Sequence, residues 1–354
     1  MQQIKRLYHN NSIGLMVVPL LIFPIFAGGN PYLMFTGILA LYTIGVTLTL
    51  RLKLSSYLLD IAGHLAWVGM GAYFSSALQV HLGWPFWVNL IAVPPIVGLI
   101  SVLVAMPAIR TQGVYLAIVA IAFADIVVLF FGNMFTGVFG GHGGLYALPG
   151  VNNLGPISFG KDDHVAYYFL LVGIMAFIVY ILRRIDRSRI GLSFRSVREQ
   201  ADLSEAVGLN VYWTKVLNWG ISCSLAGLLG VFFAAYLRAF NPDEFSSAAG
   251  FFLMAYIIIG GRGHLLGPAL GVVLFVVMRE SLRSLELWQS LFWGVIMIIF
   301  IMFIPDGIYG LIKRGWEWGI AFRARQAAAP VPAPAAVAAS TTPPPSERVG
   351  PSSG

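Results

Sequence analysis

Charge is what this sequence has least of. Charged side chains make up 10% of its 354 residues, while 58% are hydrophobic and mean hydropathy is +0.80. A soluble domain is about a quarter charged. A chain of this length has residues enough for a core, but too few charges to cover the outside of one, so lipid must do the covering. Cysteine is nearly absent too. Cys223 alone excludes an intrachain disulfide and a cysteine-built zinc site, and its apolar neighbours mark it as a buried structural thiol. The six histidines show no spacing that sets two ligands on one helix face beside an acid, so no metal or other cofactor is expected. No credible Ser–His–acid set stands out, and catalysis is not expected of this chain. Gly155, Gly160 and Lys161 match the spacing of a phosphate-binding loop. The next residue, however, is Asp162, which repels phosphate, and no strand precedes the loop. ATP, if it is used, must bind elsewhere.

What is present is a series of long apolar runs. About twenty apolar residues cross the hydrocarbon of a bilayer. Candidate spans are Ile13–Ala27, Leu33–Leu50, Leu58–Leu78, Phe86–Met106, Val114–Phe131, Val165–Leu182, Val216–Leu237, Ala248–Ile259, Leu265–Val277 and Leu287–Ile304. The expected fold class is therefore all-α: a polytopic transmembrane bundle of about ten spans. Some spans are short enough to be broken or re-entrant. Pro19 and Pro24 interrupt the first, and Gly63, His64, Gly69 and Gly71 the third. The first run, behind Lys5 and Arg6, has the look of a signal-peptide core, but other spans follow at once and no clear small-x-small cleavage site appears, so it is expected to be retained.

The net charge of +7 does not point to nucleic acid, because the basic residues fall in gaps between apolar runs. Lys5 and Arg6, Arg51 and Lys53, Arg110, the Arg183–Arg198 cluster, and Lys313 and Arg314 all fall on one side if both termini are cytoplasmic. The weakly charged loop Gly132–His164 takes the other side. Arg279 and Arg283 then fall outside, where Glu280 and Glu286 stand at helical spacing to pair with them. The expected organisation is a cytoplasmic N-terminus (1–12), a transmembrane domain (13–312) with a cytoplasmic loop at 183–215, and a cytoplasmic tail (313–354). The Ala-, Pro- and Ser-rich end of that tail, Ala327–Gly354, is expected to be disordered.

The loop RRIDRSRIGLSFRSVREQADLSEAVGLNVYWTK is helix-compatible in its middle, and Gly208 stands where a left-handed cap would end a helix. Ala201, Ser204 and Gly208 share a face, ringed by Arg195, Arg198, Glu199 and Glu205. Two readings stay open: a solvated linker that fixes topology, or a helix that docks a partner. Asp125 sits mid-span, where a charge costs several kcal/mol unless paired, hydrated or protonated. It acts either on the translocation pathway or as a hydrogen-bonded strut between helices. The same choice applies to His64, with packing favoured. Gly140–Gly144 and Gly260–Gly263 either leave backbone N–H groups free for an anion or only permit tight turns and close crossings.

Collinear motifs over about 70% of the chain add a resemblance. They run from Ala62-Gly63-His64 through Pro107-Ala108-Ile109-Arg110, Gly113-Val114-Tyr115-Leu116, Asn133, Thr136-Gly137 and Gly143-Gly144-Leu145. They continue through Arg187-Ser188-Arg189-Ile190-Gly191, Glu205-Ala206 with Gly208-Leu209-Asn210, Ser224-Leu225-Ala226-Gly227 and Gly267-Pro268 to Pro305. This series resembles the LivM-type permease of the branched-chain amino acid ABC uptake family. The resemblance implies a transport subunit of the bacterial inner membrane. Its partners would be a homologous LivH-type permease, two ATP-binding cassette subunits and a periplasmic substrate-binding protein. It implies a coupling helix at Glu205, Ala206 and Gly208, with Arg195, Arg198, Glu199 and Ala201 upstream. His64, Asp125, Asn133, Thr136 and Gly137 are the candidates for the pathway of a small-molecule substrate. Asp60, where relatives carry a small or hydroxyl residue, Asp125, where Glu is more usual, and an inserted His142 depart from the pattern. They leave open leucine-like or other amino acids, urea or small amides, and aromatic acids. The alternative is a secondary transporter with Asp125 as its proton-coupling acid.

Overall fold

The structure is a computed structural model, and it describes residues 30–56, 60–111, 113–153, 159–160, 163–261 and 266–281, with isolated positions at 23–24, 294–295, 298, 302, 307–308 and 310. Nearly all of the expected first span (13–27) and last span (287–304), and the tail 313–354, lie outside the described residues, as do Arg283 and Glu286.

Every regular element among the described residues is helical, and an isolated antiparallel bridge joins Leu145 to Phe240. Helix α1 (Pro31–Leu54) starts where Asn30 accepts from the Tyr32 N–H and proline occupies the first position, needing no donor there. Helix α2 covers His64–Leu82 and stops at Gly83, whose φ of +65° suits glycine. Then come α3 (Phe86–Ala108), α4 (Val114–Asn133), the single turn α5 (Thr136–Phe139) and a 3-10 turn at Gly141–Gly143. Helix α6 spans His164–Asp186, α7 Arg189–Glu199 and α8 Ala201–Ala206. Helix α9 (Val211–Leu237) starts at Asn210, whose side chain accepts from Trp213 N–H. A 3-10 turn at Pro242–Phe245 leads to α10 (Ser247–Gly260), and α11 covers Leu266–Ser281.

Helices α1, α3, α4, α6 and α9 are long and apolar enough to cross a membrane. Helix α9 is their centre, with 78% of its most apolar window buried. Small residues let its neighbours touch it backbone to backbone. A methyl group on Gly71 of α2 would run into the Gly227 backbone of α9, and one on Gly230 into the Val68 carbonyl. On the α3 side, Gly98 faces Ser224, whose hydroxyl donates to the Pro94 carbonyl at 2.9 Å. Such close crossings replace the hydrophobic drive that lipid removes. Helices α10 and α11 cross the same way, Gly260 against the Gly267 carbonyl and Gly271 against that of Tyr256.

Two expectations need correction. In the third apolar run, residues 58 and 59 lie outside the described residues, residues 60–63 are irregular, and the helix starts at His64. Lys53, expected as a surface charge that marks topology, is fully buried, at 0% exposure, against Asp60. Around the glycine-rich loop, Gly140, Gly141 and Gly144 all have positive φ. A methyl group on Gly140 would meet the Gly144 carbonyl, and one on Gly144 the Phe240 carbonyl, so these glycines serve a tight turn and a close approach.

Candidate functional site

The bundle end that carries α7 and α8 is built by a chain of short-range contacts. Ser188 caps α7 by accepting from Gly191 N–H, and a side chain at Gly191 would strike the Ile185 carbonyl, so only glycine allows this elbow. Helix α7 turns Gly191, Phe194 and Val197 inward at three-residue spacing and leaves Arg195, Arg198 and Glu199 exposed. Arg195 reaches back to Asp186 at 3.3 Å, and Asp186 also faces Arg51 of α1 at 3.8 Å. Each pair is partly exposed and weak by itself, but together they set α7 against the ends of α6 and α1.

Helix α8 follows with no loop beyond Gln200. Gly208 has φ of +87° and its N–H donates to the Glu205 carbonyl, while Leu209 N–H donates to that of Ser204. This positive-φ close turns the chain directly into the Asn210 cap of α9. The strip of small residues does not form the outward face, because Ser204 is buried and its hydroxyl bonds to the Gln200 carbonyl. What faces outward is Asp202, Leu203, Glu205, Ala206, Val207 and Gly208, with Leu203 60% and Val207 72% exposed. Ala201 is half-buried at the start of the turn. Two large apolar side chains, ringed by acids on α8 and by arginines on α7, make a surface suited to a protein partner.

The pathway candidates divide into groups. His64 is buried, its Nε2 3.0 Å from Thr49 Oγ1, a contact that joins α2 to α1. Asp125 is exposed, and its Oδ1 accepts from Ser247 N–H at 3.4 Å, at the start of α10. A carboxylate there faces the positive end of the helix. Asn133, Thr136 and Gly137 lie together and exposed where α4 gives way to α5, with Asn133 Nδ2 donating to the Leu129 carbonyl. Beside them lies a cavity of 520 Å³ lined only by apolar residues, among them Met70, Phe74, Phe123, Phe131 and Phe139. At 100° per residue, the lining residues Phe123, Val127 and Phe130 share one face of α4, with Asp125 on the other. The structure thus gathers Asn133, Thr136 and Gly137 and sends His64 and Asp125 to separate partners. In the loop with phosphate-site spacing, Gly160 N–H is already taken by the Asp163 carboxylate at 2.9 Å.

Sequence reasoning did not single out Leu203 and Val207. Their spacing of four, from Leu203 on α8 to Val207 at its C-cap, was the available signal, obscured by the small residues interleaved with them.

Residues 31–302 match the family model described as branched-chain amino acid transport system / permease component. Among similar proteins is the high-affinity branched-chain amino acid transport system permease protein LivM of Salmonella typhimurium, 26% identical over 295 residues, covering 76% of this chain and 68% of that one. The LivM of Escherichia coli matches at the same identity and coverage. The probable LivM of Methanocaldococcus jannaschii is 22% identical over 253 residues, 62% of this chain and 71% of that one. No solved structure matches the chain. Apolar helices of spanning length and a match over more than half of the sequence agree: this is a multi-pass membrane protein, and it belongs to the branched-chain amino acid transport system / permease component family.

Proposed function

We propose that this permease carries branched-chain amino acids or related small solutes across the bacterial inner membrane, driven by ATP hydrolysis in partner subunits that dock on α7 and α8. The single observation that supports this most is the exposed Leu203–Val207 face, on a turn that closes at Gly208 and passes directly into the central helix α9. A push on that face acts on the most enclosed of the five described spanning helices, a rigid-body route between inward- and outward-facing states. In this reading 13–312 form about ten crossings, with 1–12, the 183–215 segment and 313–354 cytoplasmic. Arg195, Arg198, Glu199, Ala201, Glu205, Ala206 and Gly208 belong to the coupling surface, and Asn133, Thr136 and Gly137 lie on the substrate's route. A homologous second permease, two ATP-binding cassette subunits and a periplasmic binding protein complete the importer.

Uptake of radiolabelled leucine into proteoliposomes holding the complex tests the proposal. Uptake that needs ATP and survives a protonophore is expected. Uptake that persists without the ATPase subunits and collapses with the proton gradient would replace the importer with a proton-coupled carrier acting through Asp125.

A further inference from the structure

The joint between α1 and α2 holds a fully buried ion pair. Lys53 Nζ lies 2.5 Å from Asp60 Oδ2, with the side chains 0% and 1% exposed. Helix α9 closes around it. Its Trp219 ring lies 4.4 Å from Lys53 Nζ, and Asn218 Nδ2 donates to the carbonyls of Leu52 and Lys53 and to Ser56 Oγ. One turn further on, Ser222 donates to the Thr49 carbonyl at 2.6 Å. The C-terminal end of α1 is therefore gripped by two successive turns of α9, by side chains that are themselves buried.

On the far side of the pair, Asp60 belongs to the irregular residues that lead into α2. Gly63 packs so closely there that a methyl group would meet both the Asp60 carboxylate and the Ala120 carbonyl of α4. His64, the first residue of α2, returns to Thr49 of α1 at 3.0 Å. Two polar contacts, Lys53–Asp60 and Thr49–His64, thus tie the beginning of α2 to the part of α1 that α9 holds. A buried ion pair adds little net stability over apolar residues of similar volume, so its presence at this joint is better explained by geometry than by stability.

We infer that Lys53 and Asp60 are positioning residues for transport: they fasten the start of α2 to the last turn of α1, so that a displacement of α9 is carried to α2 and to α4 beside Gly63. The inference rests on the importer reading. Neither residue touches substrate or nucleotide; each acts by holding an irregular joint in register with the helix that leaves the coupling surface.

The test uses the whole importer in proteoliposomes, with radiolabelled leucine as the probe and ATP hydrolysis measured in the same vesicles. The double variant Lys53→Met with Asp60→Leu removes the pair and keeps an apolar fill. Folding is read from monodisperse elution and the temperature of heat-induced aggregation, because Cys223, the single thiol, lies beside Lys53 and would report the substitution itself. The expected result is a monodisperse complex, retained ATP hydrolysis and at least a tenfold fall in leucine taken up per ATP. Wild-type uptake per ATP in that variant overturns the inference. If the double variant aggregates at once, Asp60→Glu, which keeps both charges and lengthens one arm, decides. A threefold fall or more in uptake per ATP supports the assignment, and an unchanged ratio overturns it. Wild-type vesicles that on addition of ATP take up neither leucine nor any solute held by their periplasmic binding protein would instead remove the importer reading, and this inference with it.

Discussion

Lys53 shows how a single residue departs from what its type suggests. Counted as a basic residue at the end of a span, it was expected in water, yet it is enclosed by Asp60, Trp219 and Asn218. The positive-inside pattern counts charges per loop and carries no information on whether a lysine folds back under the next helix. Asp60 was legible as a departure from the family pattern, but its partner seven residues earlier was not, because the pairing needs the break that precedes α2. Lys53→Met alone strands Asp60 as a buried, unpaired carboxylate, at a cost of about 3–5 kcal/mol. Heat-induced aggregation at a lower temperature is the expected outcome, and the double variant with Asp60→Leu is expected to restore the wild-type temperature. Asp125 illustrates the opposite case. Its intramembrane position was clear from the sequence, and the structure spends it on the start of α10. Asp125→Asn keeps an oxygen acceptor for Ser247 N–H and loses only the charge facing the helix end, about 0.3–1 kcal/mol. Leucine uptake by that variant is expected to stay within twofold of wild type.

At the scale of elements, the apolar runs located the helices well. Phe86–Met106 became Phe86–Ala108, Val114–Phe131 became Val114–Asn133, and Ala248–Ile259 became Ser247–Gly260. The extensions add Pro107 and Ala108, Gly132 and Asn133, and Ser247 and Gly260, weakly apolar or polar residues that belong to the helix but lie beyond the hydrophobic window. The start of α2 was misplaced because Leu58, Leu59 and Ile61 continue the apolar run across a stretch that is not helical at Asp60–Gly63. Glycine roles required three dimensions. Gly230 and Gly173 are both mid-helix, yet a methyl group on Gly230 meets the Val68 carbonyl, while one on Gly173 meets nothing within 4 Å. Backbone cannot swing aside as a side chain can, so Gly230→Ala is expected to destabilise by about 1–3 kcal/mol, the usual cost of overpacking. Gly173→Ala is expected to leave the temperature of heat-induced aggregation unchanged.

At the scale of the whole molecule, the sequence conveyed the membrane setting, the helical class and a helical connection between α6 and α9. Hydropathy does not report which face of that connection is turned outward, because the answer depends on how Phe194, Val197 and Ser204 pack inward. Orientation is testable with one thiol at a time in a Cys223→Ser background. Val207→Cys is expected to react with a membrane-impermeant maleimide only from the cytoplasmic side. Tyr146→Cys, on the loop between α5 and α6 and 70% exposed, is expected to react only from the outside.

The claim on which the account turns is that the Leu203–Val207 face of α8 holds the ATPase. The most direct measurement is co-purification of the ATPase subunit with the double variant Leu203→Glu, Val207→Glu. Both side chains are exposed, so folding is expected to be intact, with Cys223 protected as in wild type. Loss of the ATPase from the purified complex, and of ATP-driven uptake with it, is the expected result. ATPase retained at wild-type yield, with normal uptake, would contradict it.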